Sequence, residues 1–415
     1  MIVEKPAPAD GGVVLVHDYL LVLRGAERTF ESMAACFPDA TLATLLYDPV
    51  AMKGRFRDRV IRTSFLQPLA AGQHRYRRFL PLLPLAAERL AIGDPRLIIS
   101  SSSAFAHGVP VAGDAVHVCY CHSPFRYVWH ERGRTERGVP TPARPVARAI
   151  LGAVRRWDVA AADRVTAFLA NSRLTRERIQ DFYDRDALVV HPPVDVERFA
   201  AQPDPRDYFL SVGEVTRHKN TEIALAAADR AGVKLKVVGE GPDLPRLRKQ
   251  FVRAEFLGRV DDRRLVELYA RCRALVVPAV EEFGITMVEA HAAGRPVVAA
   301  AKGGALEIVA DGVTGVLVRP RSVDALAEAL RMTDWEGFDA ARLGASAERF
   351  SGVQFRRRFV TAVVRATAEA GPAPDARIGP SPRRRLARPR AVQPRAVMAA
   401  RPISGGSLAR ISHRS

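Results

Sequence analysis

Two carboxylates, Glu281 and Glu289, stand eight positions apart in the stretch "PAVEEFGITMVEAHAAGRPVVAA", residues 278–300. Paired carboxylates often perform general acid/base catalysis. Gly284 lies between them, which argues against one continuous helix over both, and we expect the helix to begin near Ile285. Glu281 would then lie on the loop that leaves a strand over 274–278, with Glu289 about one turn into the helix. This placement favours two contacts with one ligand over an acid/base dyad.

The ligand that fits these residues is a sugar nucleotide. Gly284 lets a ligand approach the backbone closely, and the amides of 285–287 form a helix start that favours anions. A carboxylate at Glu289 can accept two hydrogen bonds from a diol, and Glu281 can face another polar group. Ribose diol, diphosphate and hexose hydroxyls have this pattern. From the residues alone, an ordinary acid in the first helical turn explains Glu289 equally well.

A diphosphate between these carboxylates needs positive charge. The loop "GEVTRHKN", residues 213–220, offers Arg217 and Lys219 after the first strand of the second half. In the first half, His122 ends a strand in "YCHSPFRYVW", and Gly25 starts a helix in "RGAER". The segment "VVGEGPD" lacks the G-x-G-x-x-G pattern, which disfavours an NAD-dependent oxidoreductase.

Alternating strands and helices predict the architecture that positions these residues. In the second half, the predicted strands are 208–213, 233–239, 255–258, 274–279, 295–300 and 315–318, with helices between them. The first half alternates less regularly, with strands at 12–20, 96–103, 116–122, 166–172 and 187–195 and a helix at 25–36. Short connections between alternating elements predict parallel sheets covered on both faces. The fold class is therefore α/β, with two Rossmann-like domains facing each other across a deep cleft.

We predict four regions along the chain: a first domain over 1–200, a second over 201–345, a helix over 346–370 and a tail over 371–415. The helix is expected to pack back toward the first domain. The tail is rich in Arg and Pro without a hydrophobic period, and we expect it to be disordered. It holds ten Arg against one Asp, so it carries about half of the formal net charge of +18. A basic nucleic-acid-binding protein is therefore an alternative for the whole chain.

Two segments of the first half suggest contact with a metal ion or a membrane, and each also has an ordinary structural explanation. His117, Cys119 and Cys121 would share one strand face, as metal ligands or as packing in a buried strand, and we expect no metal. The start "MIVEKPAPADGG" lacks the basic and apolar run of a signal peptide, so we expect a cytoplasmic protein. The segment 56–92 mixes Arg with Phe and Leu, which suits the inner face of an anionic membrane or an ordinary solvated helix pair.

The combined motifs resemble the retaining glycosyltransferases of family 4, which have the GT-B fold. The resemblance covers roughly 12–366 and rests on the E-x7-E signature at Glu281 and Glu289, "YCHSPFRYVW", "LVHDYL" and "GGALEIVADGVTGVLV". It is closest to the mannosyltransferase-like branch that builds bacterial surface polysaccharides. Two departures stand out: Glu214 occupies a position where the family often has Arg, and Arg24-Gly25 replaces the usual double glycine.

The resemblance implies a role for each matching residue. Glu289 would bind the ribose, whereas Glu281 and the backbone of Phe283, Gly284 and Ile285 would face the transferred sugar. Lys219, with Arg217, would neutralise the leaving diphosphate. His122 would approach the sugar from the first domain, and Gly25 would lie on the acceptor-side or phosphate loop.

The implied activity is retaining transfer of a hexose without a metal cofactor. Mannose from GDP-mannose is our first expectation and a UDP-sugar the alternative, with a saccharide acceptor that is lipid-linked if the chain acts in surface polysaccharide biosynthesis.

Overall fold

The computed structural model describes residues 12–70, 75–200 and 207–370. The predicted tail, 371–415, lies outside the described residues, as do parts of the 56–92 segment and of the junction between the two predicted domains. Both sheets described below belong to one compact unit.

The first sheet has seven parallel strands in the order β3-β2-β1-β4-β5-β6-β7. Its strands are β1 (Val13–Leu20), β2 (Thr41–Tyr47), β3 (Ile61–Thr63), β4 (Leu97–Ser102), β5 (Val116–Cys121), β6 (Ala167–Ala170) and β7 (Ala187–Val189). The strand order reverses between β1 and β4. Ligands of such sheets bind at this switch point, outside the carboxyl ends of the strands.

The second sheet has six parallel strands in the order β10-β9-β8-β11-β12-β13. Its strands are β8 (Tyr208–Val212), β9 (Lys234–Val238), β10 (Glu255–Gly258), β11 (Leu275–Val277), β12 (Val297–Ala300) and β13 (Gly315–Val318). The central strands β11 and β12 are buried at every position, as expected for a parallel sheet covered on both faces. The switch point here lies between β8 and β11.

Helices cover both sheets. In the first half they are α1 (Gly25–Cys36), α2 (Gln67–Ala70), α3 (Leu83–Glu88), α4 (Arg132–Arg137), α5 (Arg144–Ala162), α6 (Arg173–Tyr183) and α7 (Val196–Phe199). In the second they are α8 (Thr221–Ala231), α9 (Leu244–Gln250), α10 (Asp262–Arg271), α11 (Ile285–Ala292), α12 (Ala305–Ile308), α13 (Val323–Met332), α14 (Ala340–Glu348) and α15 (Gly352–Ala370). Short 3-10 turns occupy Arg75–Leu82, Ala106–Gly108, Thr141–Ala143 and Arg217–Lys219.

The structure confirms the predicted fold class of two parallel-sheet, Rossmann-like units. It also adds strands β2 and β3, which the sequence pattern did not separate from the surrounding segments. The prediction of one helix over 346–370 is wrong, because α14 ends at Glu348 and α15 begins at Gly352. The break is fixed by the amide of Val194, which donates to the carbonyl of Phe350 at 2.9 Å.

Two chain segments that join the sheets lie side by side at this break. Val194, on the way into the second sheet, forms a parallel bridge with Ser351, on the way back. Beyond it, α15 packs on α1 and β5, where Phe355 and Phe359 contact the buried Tyr120. The chain therefore crosses between the two domains twice at one place.

Candidate active site

The best-supported candidate site lies at the switch point of the second sheet, where the loops after β8 and β11 meet. The side-chain amide of Asn220 donates to the carbonyl of Pro278 at 3.3 Å and so ties the two loops together. Lys219 Nζ donates to Glu281 Oε2 at 2.6 Å. These two side chains line one small pocket with Glu214 and Thr286. The structure thus brings together Lys219 and Glu281, which are 62 residues apart in the chain.

Gly284 shapes the pocket on the side of α11. Its φ of +102° lies in the left-handed region that favours glycine, and α11 begins at the next residue, Ile285. The side chain of Phe283 is buried, and its ring lies 5.3 Å from that of Phe350, so it anchors the loop rather than facing the cleft. The first amides of a helix have no acceptor within the helix, so the start of α11 presents donors beside the Lys219–Glu281 pair.

Two glycines on the neighbouring loop support the backbone of this site. The amide of Gly304 donates to the carbonyl of Glu281 at 3.0 Å. A Cβ on Gly304 would lie 1.9 Å from the carbonyl oxygen of Phe283, and a Cβ on Gly303 would lie 2.4 Å from that of Glu281. Contacts this close leave room only for glycine. The motif "GGALEIVADGVTGVLV" begins with this Gly-Gly pair, and only the fold shows that the pair supports the site.

Glu289 lies one turn into α11, and one of its two carboxylate oxygens accepts a hydrogen bond from within the protein. The Tyr269 hydroxyl donates to Glu289 Oε2 at 2.8 Å. Burial raises the pKa of Glu289, opposed by that hydrogen bond and by the charges of Arg198 and Arg28. One oxygen is therefore held in place by Tyr269, which orients the carboxylate for a further donor such as a ligand hydroxyl.

Arg217 lies on the same 3-10 turn as Lys219. Among the described residues, however, it forms no hydrogen bond or ion pair with Glu281. It acts instead on Glu222, whose pKa is lowered mainly by hydrogen bonds from Arg246, with Arg217 a small contributor. Arg217 therefore stays a predicted donor-binding residue on the same turn as Lys219.

In the first domain, His122 ends β5 within a chain of hydrogen-bonded side chains. Its Nε2 lies 2.8 Å from Ser101 Oγ, which in turn lies 3.0 Å from His17 Nδ1. Burial, and then the proximity of His17, lower the pKa of His122 to about 3. His122 is therefore a neutral imidazole at physiological pH, held by Ser101 and suited to a hydrogen bond with a polar ligand group.

The start of α1 brings the first domain against the donor loop. A Cβ on Gly25 would lie 2.6 Å from Ile285 Cδ1, so the first residues of α1 and α11 touch across the cleft. One turn further along α1, the charge of Arg28 acts on Glu289. Gly25 thus permits a close approach between the domains at the edge of the candidate site.

Glu282, which directly follows Glu281 in the chain, makes contacts that the sequence did not indicate. Arg178 Nη1 donates to Glu282 Oε1 at 2.9 Å, with His130 3.9 Å away. Although burial raises the pKa of Glu282, Arg126 and Arg178 together hold it below its usual value. Glu282 therefore links α11's loop to the first domain rather than facing the pocket.

Cys119 and Cys121, considered above as metal ligands, are packing residues of β5. Both are buried among side chains such as Ile179 and Tyr183. Burial raises the pKa of Cys119 to about 12, so the thiol stays protonated at neutral pH and is a poor ligand. Within the described residues, no group of three or more His, Cys, Asp or Glu side chains has a geometry that could hold a metal ion.

The lowered pKa values of three buried histidines predict how the free energy of unfolding depends on pH. Burial lowers the pKa of His117 and His122 to about 3 and that of His291 to about 4. Since the unfolded chain binds these protons near pH 6.5, their stabilisation is complete above that pH and lost as pH falls toward 3. Within that window, each of these histidines lowers the free energy of unfolding by about 1.4 kcal/mol for every unit by which the pH falls. Urea unfolding at pH 7.5, 6 and 5 should show a falling free energy of unfolding, and equal values would contradict this.

Comparison with known proteins gives two successive family matches. Residues 23–198 match Glycosyltransferase Family 4, and residues 193–333 match Glycosyl transferases group 1. The second region contains Lys219, Glu281 and Glu289. The first contains Gly25 and His122.

Curated relatives share part of this region. D-inositol 3-phosphate glycosyltransferase of Mycolicibacterium paratuberculosis is 37% identical over 166 residues, which is 34% of this chain and 38% of that protein. Glycogen synthase of Mycobacterium tuberculosis is 37% identical over 134 residues, 29% of this chain and 32% of that protein. The chain thus aligns with about a third of the length of these two relatives.

Among solved structures, HepE of Anabaena in complex with UDP superposes with a TM-score of 0.62 over 85% of this chain and 100% of that chain, at 18% sequence identity. This likeness shows that the chain has the GT-B fold. The two family matches, which follow one another along the chain, show that it is a glycosyltransferase with a Glycosyltransferase Family 4 region followed by a Glycosyl transferases group 1 region.

Proposed function

We propose that this protein is a retaining hexosyltransferase that uses a nucleotide sugar, with GDP-mannose as the first candidate donor and a saccharide, lipid-linked in surface polysaccharide assembly, as the acceptor. The observation that carries the proposal is the Lys219–Glu281 pair beside the start of α11, at the switch point of the second sheet. This arrangement supplies a cation, amide donors and carboxylates at the edge where α/β sheets bind nucleotides.

Each residue has a task in this mechanism. Glu289, oriented by Tyr269, accepts hydrogen bonds from the ribose diol, and the backbone of Phe283, Gly284 and Ile285 faces the diphosphate and sugar. Lys219 neutralises the charge that develops on the leaving diphosphate. Glu281 faces the hydroxyls of the transferred hexose.

The reaction itself exchanges one bond for another. An acceptor hydroxyl oxygen forms the new bond to the anomeric carbon on the face that the diphosphate leaves, the carbon–oxygen bond to the phosphate breaks, and the acceptor proton passes to a phosphate oxygen. Configuration is then retained without a protein nucleophile. His122, neutral and held by Ser101, offers a hydrogen bond to the sugar from the first domain.

A UDP-sugar is the second candidate donor. HepE structures contain UDP, UDP with glucose, and UDP-glucose. That likeness supports a nucleotide sugar as the donor class for this chain, and the choice of base is left to experiment.

Thermal-shift measurements with GDP-mannose, UDP-glucose and NAD test the donor class. A ligand at one hundred times its Kd adds about 2.7 kcal/mol to the free energy of unfolding, so binding is readily seen. We expect one sugar nucleotide to raise the Tm and NAD to have no effect. A shift with NAD alone, or with none of the three, would contradict the proposal.

Transfer is expected to continue in EDTA. Lys219 and the first amides of α11 provide the positive charge that a metal ion would otherwise bring to the diphosphate. Activity should stay within about twofold of the untreated enzyme, because no step requires a divalent ion. Activity lost in EDTA and restored by Mg²⁺ or Mn²⁺ would overturn the mechanism as drawn.

A lipid-linked acceptor would bring the first domain to a membrane surface. In the 56–92 segment, Phe65, Leu69 and Leu82 are 48%, 54% and 44% exposed, and the segment also carries the exposed Arg78. Apolar side chains beside basic ones suit an anionic interface. Among the described residues, no helix is both long and apolar enough to cross a membrane.

Vesicle sedimentation tests this contact. We expect the protein to bind phosphatidylglycerol vesicles more strongly than phosphatidylcholine vesicles, with Phe65→Ser and Leu69→Ser reducing the bound fraction several-fold. Equal binding by wild type and both variants would remove this segment from the proposal.

A further inference from the structure

Among the charged side chains that line the donor pocket, Lys219 is joined by two carboxylates, so a further cation would strengthen the binding of a diphosphate there. Glu214, Lys219 and Glu281 are the charged side chains among the described residues lining it, so carboxylates outnumber cations. Lys219 already donates a hydrogen bond to Glu281 at 2.6 Å, and Arg217 is not among the residues that line the pocket. A dianionic diphosphate would approach an acidic rim, which calls for positive charge from elsewhere.

The first domain supplies that charge through Arg24. Its Nη1 lies 3.3 Å from Glu214 Oε2, across the cleft, and the two side chains are 61% and 37% exposed. Arg24 directly precedes Gly25, whose close contact with Ile285 sets this part of α1 against the donor loop. The guanidinium of Arg24 therefore contacts a residue that lines the pocket, and it comes from the first domain.

The contacts of Arg24 allow phosphate oxygens to replace the Glu214 carboxylate on its guanidinium group. The backbone amide of Arg24 donates to Glu27 Oε2 at 2.9 Å, which fixes the main chain at the start of α1. The side chain, in contrast, makes an exposed ion pair with Glu214, and such pairs are weak. A guanidinium binds phosphate oxygens in bidentate fashion, so a diphosphate competes well with one carboxylate.

We propose that Arg24 is a donor-phosphate-binding residue supplied by the first domain, and that Glu214 is its partner only while the donor is absent. Donor arrival exchanges the carboxylate of Glu214 for phosphate oxygens on Arg24. The exchange places a residue of each domain on one ligand, because Lys219 approaches the same diphosphate from the second domain. This inference rests on the proposed function, since it requires a nucleoside diphosphate in the pocket.

Binding measurements on the full chain distinguish phosphate binding by Arg24 from a purely structural role of its ion pair with Glu214. Isothermal titration with UDP and GDP is compared with uridine and guanosine for wild type, Arg24→Gln and Glu214→Gln. We expect Arg24→Gln to weaken binding of the preferred diphosphate at least tenfold and to leave the nucleoside unchanged. Glu214→Gln should tighten binding of the diphosphate a few-fold, because a competitor for Arg24 and a repulsive charge are removed.

Arg365→Gln is the matched control, since Arg365 is 68% exposed and paired with Glu369 on α15, outside the site. It should bind like wild type. Equal diphosphate affinity in wild type and Arg24→Gln would overturn the inference, as would parallel weakening in Arg24→Gln and Glu214→Gln. Wild type that binds neither UDP nor GDP would instead refute the proposed function, and this inference with it.

Discussion

Replacing Lys219 by Ala is expected to lower sugar transfer at least about 100-fold, because one preorganised charge at a developing anion contributes a factor of that size. Glu281→Gln should have an effect of similar size, since it removes the charged partner at 2.6 Å while keeping the side-chain volume. Initial rates with the donor identified by thermal shift measure both changes. The fold should be intact in both variants, because the pair lies at the rim of the pocket.

A second lysine–carboxylate pair on the same domain provides the control. Lys234 and Asp207 form an ion pair in which both side chains are 71% exposed, far less shielded than Lys219 and Glu281 at 31% and 16%. Lys234→Ala should retain wild-type turnover. Wild-type turnover in both Lys219→Ala and Glu281→Gln would remove the pair from the donor site.

Gly304→Ala is expected to disrupt the donor loop itself. The backbone of Gly304 is right-handed helical, with φ −60°, so alanine is conformationally allowed there. The added methyl group would, however, lie 1.9 Å from the Phe283 carbonyl oxygen and force the loop away from its position. We expect donor affinity to fall at least tenfold and stability to fall by about 1–3 kcal/mol, as for overpacked sites. Calorimetric Tm and donor titration measure the two effects.

Gly344→Ala is the matched glycine control. Gly344 lies within α14, and a Cβ there would meet no atom within 4 Å. Alanine should stabilise this helix by up to about 1 kcal/mol and leave donor binding unchanged. If Gly304→Ala behaved like Gly344→Ala in both assays, the support that Gly304 gives to the donor loop would not be functional.

The second domain was predictable because its signals are local. Short buried strands such as "LVV" at 275–277 alternate with helices, and Gly284 marks the turn into α11. The position of Glu281 and Lys219 at one sheet edge then follows from the rule that loops after parallel strands share an edge. Family resemblance added the roles of these residues.

Other features depend on contacts between distant segments and leave no local pattern. Glu282 and Arg178 are 104 residues apart, and nothing in "EEFG" distinguishes the Glu that faces the pocket from the one that faces the first domain. The break between α14 and α15 depends on Val194, far earlier in the chain.

NMR of the anomeric proton of the donor during turnover tests the proposed retaining transfer most directly. With the α-linked sugar nucleotide that binds, we expect release of the nucleoside diphosphate and a first-formed sugar product in the α configuration, both abolished in Lys219→Ala. A first-formed β product, or release that is unchanged in Lys219→Ala, would contradict it.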